Sequence, residues 1–338
     1  MLTGRGRFEA TAHRKVILSK SYINIMLGFL SKTPLPFISR LQESPPKMIG
    51  LGPVLYATIA TDRPDDSIRA WCRHLDLLES GRHRVDPALA AACGERAIEG
   101  RSATWLANLL GECWLQVLDV PDAAAIEPFR RYGWMALEVS VQDPDQLAQR
   151  LRDSSFDIIG EPANLEVSDA IRAMQAVGPA GEVLYLTQIK AEVPPFELPR
   201  ARCPVDRLFI PVMLTDDREL SLAGYQSLAD QEGLRFDTRI TVINRAHGLD
   251  IDHRHAVATL QLRGQCLIEI DQLAGQAAPP AGTLPSGIAW VAFAVEQLPP
   301  GSEPYTIAQG PYAGCSAAFA RGHAGEIYEL IVRPDDRP

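Results

Sequence analysis

Gly178-Pro-Ala-Gly-Glu-Val-Leu-Tyr-Leu-Thr-Gln-Ile189 has a partner near the end of the chain, Gly322-His-Ala-Gly-Glu-Ile-Tyr-Glu-Leu-Ile-Val332. Each reads as a tight glycine turn running into an apolar strand. Some tens of residues upstream of each stands a second matched pair, Trp134-Met-Ala-Leu-Glu-Val139 and Trp290-Val-Ala-Phe-Ala-Val295. An internal repeat constrains the architecture before any single residue does.

Working outward, the pattern is strand, helix, then three strands, and it recurs. In the first unit Leu51–Ala60 is apolar and β-rich, and Asp65 or Asp66 is placed to cap a helix over Ser67–Leu78. Strands over Thr104–Leu110 and Cys113–Val120 flank a turn at Gly111. The second unit opens at Gly133–Val141. Its helix runs to Leu151, with Pro144 in the first turn, where a missing N–H costs nothing. Strands at Phe156–Ile159 and Ala173–Val177 follow, and Glu182–Ile189 closes the unit. The Pro-rich stretch 191–203 reads as a linker.

The third unit takes strand Leu208–Thr215, helix Glu219–Gln231 and strands Arg239–Asn244, Ala256–Leu262 and Gln265–Asp271. The fourth takes Ile288–Val295, an irregular crossover in place of a helix, then Cys315–Ala320 and Glu326–Val332. The expectation is an α+β chain of four βαβββ modules, paired into two cup-shaped mixed-sheet domains. Residues 48–190 would form an N-terminal domain of two modules, and 204–333 a C-terminal domain of two more.

The chain has 338 residues, 46% hydrophobic and 22% charged, with a net charge of −9. This is the composition of a globular protein, and the acidic balance argues against a nucleic-acid surface. Residues 1–47 carry eight Lys/Arg against two Asp/Glu. They read as a basic extension, unstructured or translated from a start placed too early, with Met48 opening the folded protein. Six scattered cysteines without a C-x-x-C pair suit a reducing, cytoplasmic setting. No apolar run reaches the roughly 18–20 residues that span a bilayer. Nucleotide-binding glycine loops and the G-x-S-x-G of hydrolases are absent.

The repeat resembles the vicinal-oxygen-chelate superfamily, which includes glyoxalase I, bleomycin-resistance proteins and extradiol dioxygenases. The resemblance covers about residues 48–333 and is carried by the opening and Gly-turn closing strands quoted above. It implies that paired units enclose a cup, and that a divalent metal (Fe, Mn or Zn) is held there by opening-strand His and closing-strand Glu residues. The family His positions fall near Leu55, Trp134, Arg207–Phe209 and Trp290, and none is His. Of the closing-strand positions, Glu329 matches in the fourth unit, Tyr185 stands in the second, Glu269 lies one position off in the third, and Leu115 or Gln116 occupies the first.

Other candidates come from the residues themselves. His253 and His255 share strand parity, and Glu269 on the next strand would complete a two-His-one-carboxylate set with them. Trp134, Trp290, Tyr185 and Gln116 would line the cups, where aromatic rings suit a flat, partly apolar ligand. Glu138 shares parity with Trp134 and, among aromatics, is a candidate base beside Glu329. His247, in a polar loop, would sit at a cup mouth. The expected partner is a small molecule, and a homodimer is compatible with the fold. Two functions compete: an enzyme of lyase, isomerase or dioxygenase type acting on a small oxygenated substrate, with a degenerate metal site, and a metal-free sequestering protein of the bleomycin-resistance kind.

Overall fold

A computed structural model describes residues 49–165, 168–229, 231–278 and 284–333. The reading of the basic N-terminal segment lies outside these residues. Unit 1 contains β1 (Val54–Thr61), α1 (Pro64–His74), β2 (Leu78–Arg84), α2 (Pro87–Ala92), β3 (Ser102–Ala107) and β4 (Cys113–Asp119). Unit 2 contains β5 (Gly133–Val141), α3 (Pro144–Leu151), β6 (Asp157–Leu165), β7 (Ser168–Val177) and β8 (Val183–Ile189). Unit 3 contains β9 (Val205–Thr215), α4 (Arg218–Ala229), β10 (Leu234–Arg239), α5 (Thr241–His247), β11 (Arg254–Leu262) and β12 (Cys266–Gln272). Unit 4 contains β13 (Gly287–Val295), β14 (Tyr305–Thr306), β15 (Ser316–Arg321) and β16 (Ile327–Val332).

The repeat is real, and in every unit the opening strand lies parallel to the closing strand. The pairing of units differs from expectation. One eight-stranded sheet runs β14-β15-β16-β13-β1-β4-β3-β2, and the other runs β10-β11-β12-β9-β5-β8-β7-β6. Unit 1 therefore joins unit 4 through antiparallel β1 and β13, and unit 2 joins unit 3 through β5 and β9. A division at 191–203 does not separate the sheets. The chain crosses between the sheets twice, side by side: Tyr132 N donates to Ala277 O at 2.9 Å, and Ser286 N to Ala124 O at 3.1 Å.

Local corrections have local causes. Helix α1 starts at Pro64 after Arg63, with no side-chain cap, so neither Asp65 nor Asp66 serves as N-cap; both lie in the first turn. The segment expected as strand 239–244 is instead the end of β10 followed by α5, which Gly248 terminates in a left-handed conformation. β2 and α2 went unforeseen because β2 is almost wholly exposed and carries no apolar alternation.

The core has three parts. The largest packs the outer faces of both sheets together around α1, α3 and α4, with Trp71 of α1 fully buried. Sequestering a side chain of that size contributes roughly 3 kcal/mol. The indole N–H of Trp71 donates to Glu182 at 2.9 Å, so unit 1 is tied to the glycine turn of unit 2; Tyr225 of α4 donates to Glu326 at 2.8 Å in the matching place. The other two parts fill the opposite faces of the sheets, which are the two cups.

Candidate functional site

The first cup belongs to units 1 and 4. Glu329 on β16 lies at its floor, fully buried. One carboxylate oxygen accepts from the Tyr56 hydroxyl and the other from the Tyr305 hydroxyl. Burial pushes the carboxyl up to about 7, and the two tyrosine hydrogen bonds draw it partly back. Both phenols are pushed far above their usual range, by burial first and then by the facing carboxylate, so they remain donors. Nearby, the Thr58 hydroxyl donates to Gln116 at 3.0 Å.

Rings close this cup. Tyr312 stacks on Tyr56 with centroids 5.6 Å apart, Trp105 meets Tyr56 edge-on at 4.7 Å, and Phe319 lies between Tyr305 (5.8 Å) and Trp290 (5.5 Å). The irregular stretch between β13 and β15 brings Tyr305 and Tyr312 in. It passes Trp105 at Gly310, where a Cβ would lie 2.5 Å from the indole nitrogen. Glu329 thus has neutral donors on both oxygens and an aromatic plug above it.

The second cup belongs to units 2 and 3 and is built differently. Glu138 on β5, Tyr185 and Thr187 on β8, and Glu269 and Asp271 on β12 face one space. Tyr185 stands opposite Glu138, and Thr259 of β11 opposite Glu269. Apolar residues Met135, Phe209, Val242 and Ile243 complete the walls, the last two from α5. Burial raises Glu138 to about 8, with the Glu269 charge adding to it and Thr187 opposing. Burial raises Glu269 to about 7. Asp271 rises well above the carboxylate range through burial, then through Glu269 and Glu138. Several polar atoms here have no hydrogen-bond partner: both Asp271 oxygens and the hydroxyls of Ser140, Tyr185 and Thr259. Buried polar groups are normally satisfied, so this density of orphans marks a place made for something else.

The structure sorts the sequence candidates. Glu138, Tyr185 and Glu269 meet in the second cup; Glu329, Gln116 and Trp290 lie in the first. Trp134 lines neither. It sits in the shared core with its indole N–H donating to Ile327 O at 2.7 Å. The reason is a β-bulge: the register of β5 against β9 slips between Trp134 and Ala136, so Glu138 faces the cup and Trp134 does not. The bulge also corrects the alignment of the repeat. Gly133 and Gly287 open their strands with φ of 99° and 97°, so Trp290 corresponds to Ala136 rather than to Trp134.

His247 does not reach a cup mouth. Its Nδ1 accepts from Arg130 and its Nε2 donates to Phe129 O, both at 2.9 Å, so it pins α5 to the connector before β5. The His253, His255 and Glu269 set does not assemble. His255 is buried against Asn244 at 2.6 Å, and His253 is exposed. Glu269 pairs with Thr259, four residues along β11 from His255, or about 13 Å at strand spacing. Among the described residues no three His, Cys, Asp or Glu side chains converge to hold a metal ion. The donors present do not fit a two-His-one-carboxylate centre, and no step is derived through one. Asp271, Thr187 and Thr259 were missed as candidate site residues. Their signal was the polar alternation within otherwise apolar strands, as in Leu267-Ile268-Glu269-Ile270-Asp271.

No protein-family model matches the sequence, and no curated protein is similar to it. Solved structures do match. Glyoxalase I from Zea mays superposes over 82% of this chain and 91% of its own, with a TM-score of 0.54 and 14% identity. A candidate dioxygenase from Bacillus subtilis superposes over 84% of this chain and 85% of its own, with a TM-score of 0.53 and 12% identity. The chain has the vicinal-oxygen-chelate fold, in a form with four modules on one polypeptide. No helix of the described residues is long and apolar enough to cross a membrane.

Proposed function

We propose that this protein is an enzyme that moves protons on a small oxygenated organic molecule bound in the second cup, as an isomerase or lyase would. The observation that supports this reading is the group of Glu138, Glu269 and Asp271 beside unpartnered hydroxyls. A carboxyl raised to about 7 or 8 by burial exchanges protons near neutral pH, which suits a general acid or base. Glu138, which stands opposite Tyr185 in the ladder, is assigned the role of proton acceptor. Thr187 would hold Glu138, and Tyr185 and Thr259 would donate to substrate oxygens. Glyoxalase I and the candidate dioxygenase share the fold, and that likeness supports small-molecule chemistry in a cup without naming the substrate.

The test is a screen of small α-hydroxy and α-amino carbonyl compounds for proton exchange in D2O, read by NMR. Exchange is expected with the parent protein and with Glu329→Gln, and a loss of at least about 100-fold with Glu138→Gln. Exchange that survives Glu138→Gln overturns the assignment. A metal-free binding protein is the second reading, favoured by the closed first cup and the missing histidines. It requires that a tightly bound compound be recovered unchanged.

A further inference from the structure

Among the described residues the second cup gathers three acidic side chains and no cationic one. Among the described residues none of Glu138, Glu269 and Asp271 forms an ion pair or accepts a hydrogen bond from Lys, Arg or His, and the groups that act on them or feel their charge are one another, Thr187 and Tyr185. Elsewhere in the molecule buried carboxylates do find such partners: Asp206 with Arg202 at 2.7 Å, and Glu95 with Arg321 at 3.2 Å. A buried carboxyl without a cationic neighbour either keeps its proton or meets a positive group, and for these three that group has to come from outside the chain's described residues.

The hydroxyls make an independent argument. Thr259 is 4% exposed and Tyr185 8%, and neither has a hydrogen-bond partner. Strand pairing places Tyr185 across from Glu138 and Thr259 across from Glu269, so these hydroxyls adjoin the carboxylates. The mixture of acceptor-only carboxylates and hydroxyls that both donate and accept fits a ligand with a protonated amine and at least one oxygen. Glu269 is only half-buried, which leaves the cup reachable from solvent at that carboxylate.

We propose that the second cup selects a small organic cation, an amino alcohol or related oxygenated amine, with its ammonium set among Glu138, Glu269 and Asp271. This rests on the second cup being the ligand site, as proposed above, and it narrows the substrate class. Arrival of the cation stabilises the carboxylate forms, so binding at neutral pH releases protons from the cup. The same event leaves Glu138 deprotonated, as a base must be, only when the substrate is present.

The experiment compares thermal shifts at pH 7.5 for four probes: ethanolamine, ethylene glycol, glycolate and manganese(II) chloride alone. Ethanolamine at ten times its Kd is expected to raise the melting temperature by about 3 °C, and the other three to leave it unchanged. Calorimetry in buffers of different ionisation enthalpy should show proton release on binding. Asp271→Asn and Glu269→Gln should abolish the shift while Glu329→Gln retains it. Equal shifts from ethylene glycol, a shift from manganese alone, or a shift that survives Asp271→Asn each overturn the proposal. If ethanolamine is inert but Glu138-dependent proton exchange persists, the amine class fails and the acid–base reading stands. If both fail, the cup is not the site.

Discussion

At the scale of single residues, the molecule is marked by acidic groups kept wholly or, for Glu269, largely out of water. Glu138, Glu182, Glu269 and Glu329 all titrate at about 7 or 8 rather than near 4.5, chiefly because burial disfavours their charge. A group whose folded pKa is raised holds its proton longer in the folded state. Its contribution to stability is complete below the unfolded pKa and is lost as pH climbs through the folded one. His74, His83 and His255, lowered by burial first, act in the opposite sense but only below the ordinary imidazole range. Between pH 6.5 and 8.5 the carboxyls therefore dominate. The melting temperature should fall across that interval at constant ionic strength; a rise would mean that these carboxylates are already charged in the folded protein. Glu112, drawn down by Arg202, resists only in acid, below the carboxylate range. Much of this was legible: the glycine turns placed Tyr185 and Glu329 at equivalent closing-strand positions, and Glu138 and Glu269 were named. The tryptophan match misled because it aligned side chains. The glycines, whose positive φ only they adopt readily, were the better landmarks.

At the scale of elements, the opening strands decide which side chains reach a cup. Each of β5 and β13 begins at a glycine with positive φ and carries an irregularity two residues on. Met135 with Ala136, and Ala289 with Trp290, then fall on the cup side as consecutive pairs. Both glycines also face the turn of a neighbouring unit. A Cβ on Gly133 would lie 3.5 Å from Glu326, and one on Gly287 would lie 3.8 Å from Ala180 O. Gly133→Ala and Gly287→Ala should each lower unfolding stability by about 1–2 kcal/mol through backbone strain, as measured by denaturant titration. A neutral effect would show that the bulge can be rebuilt without a left-handed residue. The misread α5 belongs to this scale. Ile240, Val242 and Ile243 form a β-branched run that favours a strand, but burial of Val242 and Ile243 over the second cup and the Asn244 amide bonds to Ile251 O and His253 O hold a helix instead.

At the scale of the whole molecule, the four units are nested, with units 2 and 3 inside and units 1 and 4 outside. The sequence could not reveal this. β1, β5 and β13 are buried along their whole length, so no alternation distinguishes one edge partner from another. The nesting makes a sharp prediction for the chain divided at its linker. Fragments 48–190 and 204–333 should each fail to fold alone, because each carries half of both sheets with the β1 and β5 or β9 and β13 edges unpaired. Co-expression should restore a soluble complex with the circular dichroism of the intact protein. Two independently folded halves would contradict the topology.

The stacked rings over Glu329 carry a consequence for how the protein is made. Tyr56 meets Glu329 across 273 residues of chain, and β1, paired with β4 along one edge, finds the partner for its other edge only in β13. On the ribosome, the sheet of units 2 and 3 can close while unit 4 is still unsynthesised, whereas unit 1, the first to emerge, waits for the last. An apolar strand edge stays open throughout that interval, which makes the nascent first unit the part of this protein most in need of a chaperone.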